Sequence, residues 1–125
     1  MARGILLVFS NPSTPEQLPE FNAWYTETHL PEFLRLPSVR AARRFQLAAS
    51  QMPLPVAVPI GGREFLAAYE VETDDFAALC DEIMSTAADR TQSPALERDP
   101  LPMALLFEQI GDEQTRPAPE DETTA

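Results

Sequence analysis

The sequence predicts an α+β fold in the order β-α-β-β-α-β, with two helices on one face of a four-stranded antiparallel sheet. Three observations predict it. Apolar or alternating runs at 4–10, 39–48, 64–72 and 103–110 read as strands. Two stretches between them repeat apolar residues at helical spacing, one after Pro15 and one after Thr73. Proline and glycine punctuate the junctions.

The first strand is Gly4 to Ser10, whose centre, Ile5-Leu6-Leu7-Val8-Phe9, is apolar on both faces. Ser10-Asn11-Pro12-Ser13 then turns the chain. Thr14 is placed to cap a helix, Pro15 suits its first position, and Gln17 completes a capping-box pattern. Leu18, Phe21, Tyr25 and Thr28/His29 make one stripe, so the helix is expected to run to about His29. Pro31 is expected to open a short second turn through Phe33 and Leu34, which Pro37 ends. In the second strand, Val39 to Ala48, alternation sets Val39, Ala41, Arg43, Phe45 and Leu47 on one face and Arg40, Ala42, Arg44 and Gln46 on the other. Ser50 to Gly62 holds three prolines and two glycines and reads as a loop. Its Met52, Leu54, Val56, Val58 and Ile60 are too apolar for a solvated linker, so it is expected to cover a partner subunit or a cavity mouth.

Glu64 to Glu72 is the third strand, with Phe65, Ala67, Tyr69 and Val71 on one face. Thr73 is expected to cap the next helix, with Asp74 and Asp75 against its positive end. Phe76, Leu79, Cys80, Ile83 and Ala87 form its apolar stripe as far as about Asp89, which makes Cys80 an inert core residue. Thr91 to Pro100 is a polar connection, and Met103 to Ile110 is the fourth strand, ended by Gly111. The order is the split βαβ, or ferredoxin-like, pattern. Two helices cover only one face of such a sheet. The strands are apolar on both, so the bare face is expected to meet a second copy of the chain.

Composition narrows the function. The 125-residue chain fits one domain, at 1–111, and 44% of its residues are hydrophobic, enough for a core. A net charge of −11 argues against nucleic-acid backbones and anionic membranes as partners. From Asp112 onward the chain carries five acids against one base, with two prolines and nothing bulky, so 112–125 is expected to be disordered. A single cysteine rules out an intrachain disulfide, and one His with one Cys gives no ligand-spaced metal cluster. No apolar run reaches the roughly 20 residues that span a bilayer, and no signal-peptide pattern is present, so a cytoplasmic location is expected.

Phe21-Asn22-Ala23-Trp24-Tyr25-Thr26-Glu27-Thr28-His29-Leu30-Pro31 concentrates the chemistry: the only Trp, the only His and one of two Tyr residues. The run Phe21-x-x-Trp24-Tyr25-x-x-x-His29-x-Pro31, followed by Leu36-Pro37-Ser38-Val39 and Arg43-Arg44-Phe45, resembles the EthD-like branch of the dimeric α+β barrel superfamily. Ser38 stands where Gly is usual in that turn. The resemblance covers roughly 3–110 and implies two protomers packed sheet to sheet into a barrel. It also implies a pocket in each, between sheet and helices or inside the half-barrel. Members include cofactor-free monooxygenases, polyketide cyclases, muconolactone-type isomerases and haem-degrading enzymes, as well as proteins without a known reaction, so the fold implies a pocket rather than a chemistry.

The candidate catalytic residues are His29 and Tyr25. An unperturbed imidazole titrates near 6.5 and gives or takes protons at neutral pH. The alternative for His29 is capping the helix end through a carbonyl. Tyr25 is placed to donate to a developing oxyanion one turn away, or to be core with its hydroxyl at the rim. The candidate substrate-binding residues are Asn22, Trp24, Arg43, Phe65 and Tyr69, with packing as the alternative for each aromatic. Arg43 and Arg44 face opposite ways, so one must lie on a covered face and needs a carboxylate or an anionic ligand. The expected function is a homodimeric, cofactor-independent enzyme acting by acid/base chemistry on a hydrophobic aromatic or polyketide-like molecule, as a cyclase, isomerase or monooxygenase. The competing readings are a non-catalytic ligand-binding or accessory protein on the same fold and, further off, haem degradation with His29 as ligand.

Overall fold

A computed structural model describes residues 1–54 and 59–119. Four strands pair antiparallel in the spatial order β2-β3-β1-β4: β1 (Ala2–Ser10), β2 (Val39–Gln46), β3 (Phe65–Thr73) and β4 (Met103–Glu108). Each helical connection therefore crosses one intervening strand, which is the split βαβ arrangement expected from the sequence. Period-2 alternation sorts the side chains. Leu6 lies opposite Tyr69 on one side and Leu106 on the other, and this row, with Phe65, Ala67 and Val71, faces the helices. Ile5, Leu7 and Phe9 pair with Phe107, Leu105 and Met103 on the opposite face. There Phe45, Leu105 and Phe107 keep 48%, 45% and 49% of their surface exposed, so this apolar face is bare in the single chain.

The first connection is one helical run in four pieces: a 3-10 turn at Pro15–Gln17, α1 (Leu18–Trp24), a π-turn at Tyr25–His29 and α2 (Leu30–Phe33). The helix does not stop at His29 as expected. A proline ring within a helix collides with the carbonyl four residues back, here that of Glu27, and widening the turn relieves that collision while the run continues. The expected capping box is also altered. The Thr14 side chain caps no backbone N–H; its hydroxyl instead donates to the Gln17 Oε1 at 3.1 Å.

A β-bulge between Val39 and Ala41 corrects the expected alternation in β2. Val39 pairs with Val71 and is buried on the helix side, whereas Ala41, Arg43 and Phe45 occupy the other face. In α3 (Phe76–Ser85) the cap is Asp75, whose Oδ1 accepts from the Ala78 N–H at 3.1 Å. Thr73 only braces that cap, its Oγ1 accepting from the Asp75 N–H. The buried stripe of α3 is Phe76, Leu79 and Ile83, and Cys80 is exposed rather than core. Gly4 is required where β1 passes beneath α3: a Cβ there would stand 2.5 Å from the Phe107 carbonyl and 2.8 Å from the Phe76 ring. β4 ends at Glu108, short of the expected Ile110, which is 92% exposed.

In the expected loop, Met52 and Leu54 are exposed, a turn forms at Pro59–Gly62, and 55–58, with Val56 and Val58, lie outside the described residues. Residues 112–119 form no helix or strand and are exposed; 120–125 lie outside the described residues. Among the described residues no helix is long and apolar enough to cross a membrane.

Candidate functional site

Helical spacing and the π-turn together build an aromatic column against the sheet. In a regular α-helix, neighbours on one face are three or four residues apart. Phe21 and Tyr25 obey this, edge to face at 5.1 Å, as do Tyr25 and His29 at 5.2 Å. The extra residue held in the π-turn also brings residues five apart into line. Trp24 and His29 stack with centroids 4.5 Å apart and planes 26° from parallel. Phe33 continues the column, 5.7 Å from His29 and 4.3 Å from Tyr69 on β3.

Polar atoms are threaded through this column. The Tyr25 hydroxyl lies 3.2 Å from the Ser10 Oγ at the inward end of β1. Burial pushes the Tyr25 phenol above its ordinary value, against the opposing pull of Ser10 and Arg44. Tyr69 is fully buried, its hydroxyl meets no partner among the described residues, and its pKa is raised, chiefly by desolvation. The Arg44 guanidinium lies over three rings, 4.6 Å from the Tyr25 centroid, 5.2 Å from Phe21 and 6.0 Å from Phe65. Its Nη1 donates to the Asn22 Oδ1 at 2.8 Å, and its buried Nε has no acceptor among the described residues.

His29 is the most altered group. Burial, helped by the charge of Arg90, lowers its pKa to about 4. The imidazole is therefore neutral at physiological pH instead of poised near 6.5. It does not cap a helix end, because the helix continues beyond it, and its Nδ1 is buried without a partner among the described residues. Nearby groups are well anchored. The Trp24 Nε1 donates to the Thr91 carbonyl at 3.1 Å, and Glu32 accepts from the Thr91 N–H at 2.8 Å and its Oγ1 at 3.0 Å. The Thr91 N–H bond holds the Glu32 carboxyl below its usual range. Arg90 lies over the Phe33 ring at 4.8 Å and donates to the Ile83 carbonyl and the Thr86 hydroxyl.

Asn22, Trp24, Tyr25, His29, Phe65 and Tyr69 thus lie together on the helix side of the sheet. Arg43 does not join them. It lies exposed on the bare face, 3.5 Å from Glu70, and Arg44 takes the inner position. Sequence reasoning recognised that one of this pair must point inward; the register of β2 against β3 decides which. Ser10, read in the sequence as the start of a turn, follows Leu6 and Val8 on the inward face, and that alternation is the signal that would have found it. Thr91 and Arg90 carry no signal in the sequence, because a long connection brings them back to the column.

Open space flanks the column without reaching its centre. A cleft of about 240 Å³ is lined by Asn22, Arg44, Phe45, Gln46 and Phe65. A second, of about 170 Å³, includes Glu32, Leu36 and Arg90. A larger cleft of about 350 Å³, bordered by Arg3, Arg40 and Glu72, lies at the charged margin of the sheet. At its centre Glu72 is already paired, with Arg40 at 2.7 Å and with Arg3 at 2.9 Å. Among the described residues no group of three or more His, Cys, Asp or Glu is placed to hold a metal ion. In comparisons with known proteins, no family model, no curated protein and no solved structure matches the chain.

Proposed function

We propose that this chain is a cofactor-independent enzyme of the EthD-like type, acting by proton transfer on a hydrophobic aromatic or polyketide-like molecule held between helix and sheet. The observation that carries the reading is a set of three buried polar atoms without partners among the described residues: His29 Nδ1, Arg44 Nε and Tyr69 Oη. Each costs on the order of 1–3 kcal/mol when left unpaired. Three such atoms around one aromatic column are a standing expense that a bound ligand would offset. A neutral imidazole accepts a proton from an enol or phenol, and the negative charge that develops beside it raises its pKa toward the working range. Tyr25 and Tyr69 are the hydroxyl donors to a developing oxyanion. Trp24 and Phe65 wall the ring system. Cyclisation and isomerisation need only this proton relay, while a monooxygenase reaction adds O2 to the deprotonated carbon as a hydroperoxide, whose O–O bond breaks with loss of water to leave one oxygen atom in the product.

The same reading makes the active species a homodimer, since the bare face formed by Phe45, Leu105 and Phe107 is apolar and exposed. A second reading, a binding protein without turnover, is favoured by one observation: the flanking clefts do not include Tyr25, His29 or Tyr69.

The test is incubation of the purified protein with a panel of hydroxylated anthrones and linear polyketide analogues, followed by absorbance and oxygen uptake. Turnover that falls at least 100-fold in His29→Ala is expected for a general base. Retention of an aromatic molecule in native mass spectrometry without any turnover would favour the binding protein. Unchanged turnover in His29→Ala would overturn the acid/base assignment.

A further inference from the structure

Arg44 is held where a cation has little reason to be. Its guanidinium is half-buried, packed over three aromatic rings and provided with a single acceptor, the amide oxygen of Asn22. The other partly buried arginines, Arg63 and Arg90, are satisfied. Arg90 spends its N–H groups on Ile83 and Thr86, and Arg63 spends its own on the carbonyls of Leu101 and Ile60. The arginines on the bare face and its margin have carboxylates. Aromatic faces attract the charge of Arg44, yet they leave its fork of N–H donors largely unused. Such a fork matches a carboxylate in geometry and charge.

The adjoining space has the matching shape. The cleft beside Arg44 lies at the edge of β2, where Phe65 supplies an apolar wall from the helix side, Phe45 borders it from its place on the other face of the strand, and Gln46 and Asn22 make the rest of the lining polar. At about 240 Å³ it admits one ring, either a single-ring acid or the charged end ring of a larger molecule. The chain as a whole carries −11, so anions are repelled from most of its surface, and a partly buried guanidinium with unspent N–H groups beside a cleft stands out.

We infer that the cleft formed by Asn22, Arg44, Phe45, Gln46 and Phe65 is an anion subsite, in which the Arg44 guanidinium grips the carboxylate of a small aromatic acid. The inference rests on the reading that the helix side of the sheet receives an aromatic molecule, and it names the charged end of that molecule. Phe65 bounds the ring on the column side, and Asn22, already bonded to Arg44, fixes the plane of the fork.

The test uses benzoate and benzamide, which share a ring and differ in charge, titrated into the full-length protein and followed by 1H–15N chemical shifts. Benzoate is expected to bind about 10-fold or more tighter than benzamide, the difference of one charged over one neutral hydrogen-bonded group. Arg44→Gln is expected to abolish that preference, and Arg43→Gln, on the bare face, to leave it intact. Arg44→Lys keeps the charge without the fork and is expected to retain only part of the preference. Equal affinities of the two probes for the wild-type protein would overturn the anion subsite while leaving an aromatic chamber in place; this comparison holds even if Arg44→Gln fails to fold. Absence of binding by both probes would overturn the chamber and the subsite together. A benzoate preference that survives in a folded Arg44→Gln variant would place the anion elsewhere and overturn the assignment to Arg44.

Discussion

Trp24 and His29 stack at 4.5 Å because a π-turn lies between α1 and α2, and the stack helps keep the imidazole away from water. The ring sits between an indole face and the edge of Tyr25, a setting that favours its neutral form. Folding therefore selects uncharged His29, with a consequence for stability. The folded pKa of about 4 lies below the ordinary 6.5, so the unfolded chain binds a proton first as pH falls. The contribution of His29 is full above pH 6.5 and is lost progressively between about 6.5 and 4, reaching roughly 3 kcal/mol. Urea denaturation of wild type and His29→Gln across this window checks it: the wild type is expected to lose more stability than the variant. Parallel curves would show an imidazole that titrates normally.

Tyr69 gives an opposite mutational sign from that usual for core residues. Its hydroxyl is buried and unpaired among the described residues, so Tyr69→Phe removes a desolvated group and loses no hydrogen bond. The variant is expected to be as stable as wild type or up to about 1 kcal/mol more stable, with weaker retention of an aromatic ligand. Thermal denaturation and native mass spectrometry read the two effects separately.

Gly4 tests the packing of β1 under α3. A methyl group there meets the Phe107 carbonyl, which is backbone and moves only with the strand. Gly4→Ala is expected to cost about 1–3 kcal/mol through overpacking. A denaturation midpoint equal to that of wild type would mean that β4 shifts freely.

The bare face offers a test of self-association. Phe107→Glu places a charge amid Ile5, Leu7 and Leu105, far from the aromatic column and exposed in the single chain. Light scattering after size exclusion is expected to report a dimer for wild type and a monomer for the variant. A monomeric wild-type protein would remove the barrel from the proposed function.

Much of this fold was legible because its signals are local. Four apolar runs and two helical stripes survive any error in tertiary placement, and the element order alone yields the sheet order. What escaped depended on single residues acting at a distance. Pro31 looked like a terminator, but the turn before it widened instead of breaking. Val39 looked like a neighbour of Arg43, but one bulged residue shifted the phase. The Arg43–Arg44 choice turned on that register, and the anchoring by Thr91 turned on a loop that returns across the sheet. The cluster from Asn22 to His29 was readable because all its members lie on one helical run. The depressed imidazole pKa was not, because it arises from burial by elements far apart in sequence.

The bulge in β2 also decides how the sheet can grow. β2 is an outer strand, and its rim carries Arg40 and Arg43 beside a local kink. A neighbouring strand needs a straight, uncharged row of amides to zip onto, and this margin denies it one. Among the described residues, β4 is the other outer strand and keeps an open border. Lateral joining through β4 would stop at two molecules, because the composite sheet would present the kinked, cationic margin at both ends. An irregularity one residue long would thereby guard such a sheet against ribbon-like polymerisation.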